Sequence, residues 1–191
     1  MVRITAGSAK GRKVGVRKAF SGKGGNDELR PTSEKVRQAL FNILRNKIEG
    51  CSFLDLYAGT GAVGMEALSR GAEGVTFVDN NSIRISVIKE LAAKFGFEDR
   101  ADIVRDDAER FIMRTDSSFD IIFVDPPYDS DQSERVLPLI VEEGRLNSEG
   151  IVIVEHRSKK SPGTLVGNLS LLKTYKYGDT SLSIYEESKS C

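Results

Sequence analysis

Apolar positions in this chain follow two periods, and the switch between them outlines the fold. Val36, Leu40, Ile43 and Leu44 share one face at the 3.6-residue spacing of a helix. Thr32 or Ser33 can cap its start, with Glu34 in the first turn. Residues 52–57 read as a strand, and a glycine-rich turn leads from it into a helix over 61–70. Gly71 closes that helix as a C-terminal glycine does. Gly74 to Asp79, GVTFVD, is a second strand, and Val87, Ile88, Leu91 and Phe95 line a second helix. ADIVRDD holds a short third strand. FDIIFVDPPY holds a fourth, apolar throughout, as a strand buried on both faces should be. Val136, Leu137, Ile140 and Val141 mark another helical face, and GIVIVEH is a fifth strand. This β-α alternation predicts a mostly parallel, doubly wound α/β sheet with helices on both faces.

The end of the chain breaks the alternation. LSLLKTYKY and TSLSIYEE are strand-like runs separated by Gly178-Asp179, a dipeptide suited to a two-residue hairpin turn. The last two strands are therefore expected to be antiparallel. At the other end, Arg3 to Val16 is expected to form a short hairpin, and Ser21 to Ser33 a flexible loop rich in glycine, serine and charge. Residues 1–32 thus read as a basic arm and loop, part of the same single domain as residues 33–191.

Composition narrows the class. A length of 191 residues fits one domain with a substantial core. No apolar run approaches the length of a membrane span, and the basic start MVRITAGSAKGRK lacks the apolar stretch of a signal peptide. Two cysteines, Cys51 and Cys191, make no disulfide framework, so a cytoplasmic setting is expected. One histidine, His156, is too little for a zinc site. The net charge is zero but uneven: residues 1–50 carry +8 and residues 51–191 carry −8. Lys10, Arg12, Lys13, Arg17 and Lys18, interleaved with glycine, suit contact with a polyanion such as RNA. The bland alternative is a mobile arm with solvated charges. No aromatic precedes Phe20, so base stacking is not expected of the arm.

Candidate chemistry sits where the strands end. Gly59-Thr60-Gly61-Ala62-Val63-Gly64 is a G-x-G-x-x-G turn; Gly59, Gly61 and Gly64 permit a sharp strand-to-helix turn and a close approach to an adenosine cofactor. The loop alone does not separate a nicotinamide dinucleotide from S-adenosylmethionine. Asp55, near the strand end, suits a cationic group such as an amine and would do nothing for a pyrophosphate. Asp79 stands where an acid can accept both ribose hydroxyls, or where it could simply hold a turn. In Asp106-Asp107, one carboxylate could accept from the adenine amino group or cap the helix that begins at Ala108.

The most informative stretch is Asp125-Pro126-Pro127-Tyr128, at the end of the fourth strand. Two prolines fix the backbone and remove two N–H donors, which leaves carbonyl acceptors. Asp125 adds a carboxylate acceptor, and Tyr128 a ring that can stack on a planar base. An exocyclic base amine presents two hydrogens and needs two acceptors. Accepting both would turn the nitrogen lone pair toward a methyl donor, and alignment would supply much of the acceleration. With the usual strand order, the glycine turn and this tetrapeptide flank one crevice, which favours S-adenosylmethionine.

On RITAGSAKGRKV, RPTSEKVRQALFNIL, FLDLYAGTGAVGMEALSRGA, VDPPY and YGDTSLSIYEE, the chain resembles the bacterial 16S rRNA guanine-N2 methyltransferase family over nearly its whole length. The resemblance implies a Rossmann-like class I methyltransferase with a seven-stranded sheet, and transfer from S-adenosylmethionine to the N2 amine of a guanine. It implies as substrate 16S rRNA in the small ribosomal subunit or an assembly intermediate, with the target base flipped or splayed out. By position it assigns Asp55, Gly59, Gly61, Gly64, Asp79, Asp107 and Ala108 to the cofactor, and Asp125, Pro126, Pro127 and Tyr128 to the target amine. Arg30, Pro31 and Thr32 match the segment leading into the helix near the cofactor. Tyr57 replaces a glycine frequent in other methyltransferases, which is normal for this family. A monomer is expected. Three alternatives stay open at this point: an adenine-N6 methyltransferase, a nicotinamide-dependent oxidoreductase, and a noncatalytic RNA-binding protein on the same fold.

Overall fold

The computed structural model describes residues 1–15, 33–127 and 130–188. In chain order the elements are β1 (Val2–Arg3), β2 (Lys13–Val14), α1 (Glu34–Ile43), β3 (Ser52–Leu56) and α2 (Ala62–Ser69). There follow β4 (Gly74–Val78), α3 (Ser82–Phe95), β5 (Ala101–Val104), α4 (Ala108–Arg114) and β6 (Phe119–Val124). The chain ends with α5 (Gln132–Glu142), β7 (Leu146–Arg157), β8 (Leu165–Val166), β9 (Leu169–Tyr177) and β10 (Thr180–Glu187).

Among the described residues the main sheet has the order β5-β4-β3-β6-β7-β10-β9-β8. β5, β4, β3, β6 and β7 are parallel, and β10 enters antiparallel between β7 and β9. Seven of these strands are the expected ones. The eighth, β8, is a two-residue edge strand paired to β9. It is too short to leave a periodic pattern. β7 also starts four residues earlier than GIVIVEH suggests, because contacts with β6 draw residues 146–149 into the strand. Phe119 pairs with Leu146, and Asn147 Nδ2 donates to Asp120 Oδ1 at 2.9 Å.

Local chemistry explains the helix ends. Ser33, rather than Thr32, caps α1 by accepting from Val36 N–H at 3.2 Å. Asn81 caps α3 by accepting from Ile83 and Arg84 N–H. α2 stops in a Schellman turn: Ala72 N–H donates to Ala67 C=O and Gly71 N–H to Leu68 C=O, with Gly71 at φ +102°. Two apolar layers sandwich the sheet. Phe41, Phe53, Met65, Phe77 and Leu91 lie on the side of α1, α2 and α3; Leu54, Ile112, Val124, Leu137 and Val152 lie on the side of α4 and α5. Gly64 brings α2 close to β4, since a Cβ there would sit 2.2 Å from the Phe77 ring. Gly64→Ala should lower stability by about 1–3 kcal/mol. An unchanged urea midpoint would refute that tight fit.

The expected N-terminal hairpin exists as β1 and β2, with Val2 opposite Val14. Residues 1–15 do not behave as a free arm. Val2, Ile4 and Ala9 are buried in the core layer that holds α2. Ser8 N–H donates to Ser69 C=O at 2.7 Å, Ala9 N–H to Ser69 Oγ at 3.0 Å, and Ser69 Oγ to Ala6 C=O at 2.6 Å. The loop expected over Ser21 to Ser33 lies outside the described residues, apart from Ser33.

Candidate active site

The site begins with a register. β3 and β6 are parallel neighbours, and Leu56 lies opposite Val124. The turn after β3 and the segment after β6 therefore leave the same end of the sheet side by side. Asp125 N–H reaches Leu56 C=O at 3.5 Å across that boundary. β4 lies on one side of β3 and β6 on the other, so this is where the strand order reverses and where such sheets open a crevice.

The turn after β3 is held by carboxylates. Gly61 is the N-cap of α2 at φ +71° and has no side chain to offer the helix. Asp55 supplies the missing acceptor, and Gly64 N–H donates to its Oδ2 at 2.9 Å. The carboxyl is 2 % exposed. Burial pushes it up to about 8, against the Gly64 bond that lowers it, with Asp79 raising it further. Asp79 braces the other side of the turn. Its Oδ2 accepts from Gly59 N–H and its Oδ1 from Asn81 N–H, each at 2.9 Å, and Arg84 Nη1 lies 3.5 Å from Oδ2. Its turn role and its position at the end of β4 therefore coexist. Tyr57, between Asp55 and Gly59, holds φ +60°. That is a strained backbone for an aromatic residue, of the kind that clusters at functional sites. Its ring packs on the α4–α5 layer, and burial pushes the phenol up.

After β5, Asp107 acts as the N-cap of α4, accepting from Glu109 and Arg110 N–H at 3.1 and 3.3 Å. Ala108 is buried as the first residue of that helix. At the end of β6, Asp125 is half-buried, Pro126 buried and Pro127 exposed. The two proline carbonyls are not equivalent. Ser130 donates twice to Pro127 C=O, from its N–H at 3.0 Å and its hydroxyl at 2.7 Å. Sequence reasoning treats both carbonyls as open and passes over Ser130. A serine three residues beyond a Pro-Pro step is the available turn signal.

Other sequence-predicted residues fall elsewhere. Arg17, Lys18, Arg30, Thr32 and Tyr128 lie outside the described residues. Lys10, Arg12 and Lys13 are exposed, but their loop docks at the C-terminal ends of α2 and α3, where Arg12 Nη1 donates to Phe95 C=O at 3.1 Å. That is the end of the sheet opposite Asp125, a separation of roughly 15 Å along five-residue β3. Glu66, unremarked in the sequence, is fully buried on α2 and anchors this loop. It accepts from Thr5 N–H and Oγ1, Ala6 N–H and Arg70 Nε at 2.6–3.0 Å.

The strand order, the braced turn after β3 and the adjoining Asp-Pro-Pro segment define a class I methyltransferase fold. The family model described as "Conserved hypothetical protein 95" matches residues 2–186. "Ribosomal RNA small subunit methyltransferase D" of Escherichia coli strain K12 is 33% identical over 187 residues, covering 97% of this chain and 89% of that protein. "Putative rRNA methyltransferase YlbH" of Bacillus subtilis strain 168 is 34% identical over 189 residues, covering 97% of this chain and 99% of that protein. The structure of "Putative methyltransferase yhhF" from Escherichia coli superposes with a TM-score of 0.84 at 28% identity, covering 99% of each chain. The chain belongs to this family, that of the bacterial small-subunit rRNA methyltransferases D, and is a methyltransferase.

Proposed function

We propose that the protein transfers the methyl group of S-adenosylmethionine to the exocyclic N2 amine of a guanine in 16S rRNA of the small ribosomal subunit. The observation that carries this reading is the adjacency of the turn after β3 and Asp125, set by the Leu56–Val124 register. The names of the relatives supply the RNA class.

The residues present fit the cofactor. Asp79 and Asp125 stand at the strand ends with acidic side chains, and the buried Asp55 carboxyl joins them as a carboxylate when an ammonium lies beside it. A pyrophosphate would be repelled by that set, whereas a sulfonium and an ammonium are welcome. Gly59, Gly61 and Gly64 would admit the ribose and methionine parts. Asp79 would accept from the ribose hydroxyls with its remaining lone pairs, and Asp107 and Ala108 would border the adenine. Arg30 and Thr32 would contribute from the segment before α1. When bound there, S-adenosylmethionine supplies an electrophilic methyl group on a good leaving group. Asp125 accepts one N–H of the target amine. Pro126 C=O accepts the other, because Ser130 already engages Pro127 C=O. Tyr128 stacks on the base. The amine lone pair is thereby aimed at the methyl carbon, and Asp125 is placed to take the proton released.

Asp55 supplies a pH test. An ammonium beside it favours the carboxylate, so binding releases a proton below the carboxyl's raised value. Cofactor affinity should rise between about pH 6 and 8, by up to about tenfold per unit, and the rise should vanish in Asp55→Asn. Calorimetry across that range checks it; a flat wild-type affinity would remove Asp55 from the cofactor site. For folding the sign is reversed. A carboxyl raised in the folded state contributes most below the ordinary carboxylate range, and that contribution is lost as pH climbs toward about 8. Asp55→Asn keeps an acceptor for Gly64 N–H, so above neutral pH its unfolding midpoint should not fall below that of the wild type.

The function is tested with labelled S-adenosylmethionine on small subunits lacking the modification, followed by separation of the nucleosides. Label in N2-methylguanosine supports the reading. Label in N6-methyladenosine keeps the mechanism and replaces the base. Cofactor binding without any labelled RNA refutes it.

A further inference from the structure

Residues 156–178 contain five Lys or Arg, namely Arg157, Lys159, Lys160, Lys173 and Lys176, and no Asp or Glu. They stand out in a stretch, residues 51–191, that carries −8 overall. The fold brings four of them to one end of the sheet, while Lys173 lies further back in β9, opposite Ile184. β7 is parallel to β6, so Arg157 ends its strand at the same end of the sheet as Asp125. β10 is antiparallel to both β7 and β9, so β9 also runs toward that end and delivers Lys176 there. Arg157, Lys159, Lys160 and Lys176 are all exposed.

The loop after β7, which carries Lys159 and Lys160, is tied down on both sides. Ser158 N–H donates to Asp179 C=O at 2.8 Å and its hydroxyl to Gly178 C=O at 2.9 Å, which fixes it to the β9–β10 turn. Lys160 Nζ donates to Ser130 C=O at 3.0 Å, and Ser130 in turn holds Pro127 C=O. Lys160 is thus linked through one residue to the Asp-Pro-Pro segment. Between them lies a cavity lined by Pro126, Pro127, Ser133, Glu134, Arg157 and Lys160. It opens over β6 and β7, on the far side of Asp125 from the turn after β3. The cavity and the turn after β3 thus flank the end of β6.

We infer that Arg157, Lys159, Lys160 and Lys176 form a phosphate-binding strip that docks the RNA backbone flanking the target guanine. The inference rests on the RNA-methyltransferase reading and names the surface that reading lacks. The basic loop of Lys10, Arg12 and Lys13 lies one strand length away, at the opposite end of the sheet, and Arg12 is engaged by the end of α3. The strip lies next to the chemistry. A nucleotide whose amine reaches Asp125 from the β7 side brings its neighbouring phosphates over ground of the opposite charge, with Glu134, buried Glu155 and Asp179 as the acidic groups beside it. Lysines on β9 could instead serve only to keep an edge strand from pairing with other chains. That role needs no RNA and leaves salt dependence of RNA binding untouched, so the two are separable.

The test is Lys159→Gln, Lys160→Gln and Lys176→Gln combined, assayed on small subunits lacking the modification. The KM for the particle should rise on the order of tenfold or more. The slope of log affinity against log salt, between about 50 and 200 mM, should become shallower by about two to three. Cofactor affinity should be unchanged, which reports an intact fold. The same substitutions at Lys10, Arg12 and Lys13 should move KM and slope less. An unchanged KM and slope in the strip variant, with wild-type activity present, overturns the strip and leaves the methyltransferase reading standing. Wild-type enzyme that methylates no RNA removes both.

Discussion

Asp125→Ala is expected to lower methyl transfer by about two to three orders of magnitude, the usual effect of deleting one positioned polar group at a reacting centre. Cofactor affinity should hardly change, because the turn after β3 is braced by the side chains of Asp55 and Asp79. Single-turnover rates with saturating cofactor, set beside a cofactor titration, give both quantities. Asp125→Asn sharpens the result. Asparagine keeps one acceptor oxygen at the same reach, so it should retain more activity than alanine if accepting an amine hydrogen is the main role. Equal loss in both variants would assign the role to the negative charge. Near-normal turnover in alanine would end the assignment of Asp125 to the target amine.

The largest stability loss is expected at Glu66, on the helix that follows the glycine turn. Glu66→Ala removes the acceptor for Thr5 N–H and Oγ1, for Ala6 N–H and for Arg70 Nε. It also leaves Arg37, whose Nε lies 3.8 Å from the carboxylate, in a buried position with its nearest anion gone. Burial already lowers the Arg37 pKa, and Glu66 is the leading group that opposes this. Removing one partner from such a set costs about 3–5 kcal/mol, a large share of the roughly 5–15 kcal/mol of a folded domain. Urea unfolding should show it as a lower midpoint. Glu66→Gln keeps oxygen acceptance without charge and should lose less. A midpoint for alanine equal to that of the wild type would mean that the N-terminal loop is not anchored through Glu66.

These two residues differ in how far the sequence reveals them. Asp125 announces itself because its neighbours are unusual: two prolines and a tyrosine at the end of an apolar strand. Glu66 sits in a helix of otherwise small and apolar residues, and nothing local separates it from a surface glutamate. Its partners in the N-terminal loop are 60 and 61 residues earlier in the chain. The basic groups divide the same way. Lys10 to Lys13 are conspicuous as a run, yet the fold carries them to the end of the sheet away from Asp125. Lys160 and Lys176 are unremarkable one by one; the parallel pairing of β7 with β6 brings the first to the end of the sheet that holds Asp125, and the antiparallel pairing of β10 with β7 and β9 brings the second.

The sequence by itself determined the features that local forces decide. Apolar periodicity placed β3 to β7 and their helices, glycine placed the turn after β3 and the end of α2, and Gly178-Asp179 placed the final hairpin. Each depends on the conformational preference of a few adjacent residues, so each leaves a trace within a short window. Tertiary structure alone decided which groups meet. The pairing of β3 with β6 set Asp125 beside the glycine turn, and the parallel strand β7 together with the antiparallel return of β10 carried the second basic segment to the same end. Ser130 engaged one of two proline carbonyls, and Glu66 gathered a loop and two arginines. Such meetings depend on sheet order and on desolvation of polar groups far apart in the chain, and a single sequence carries no local record of either.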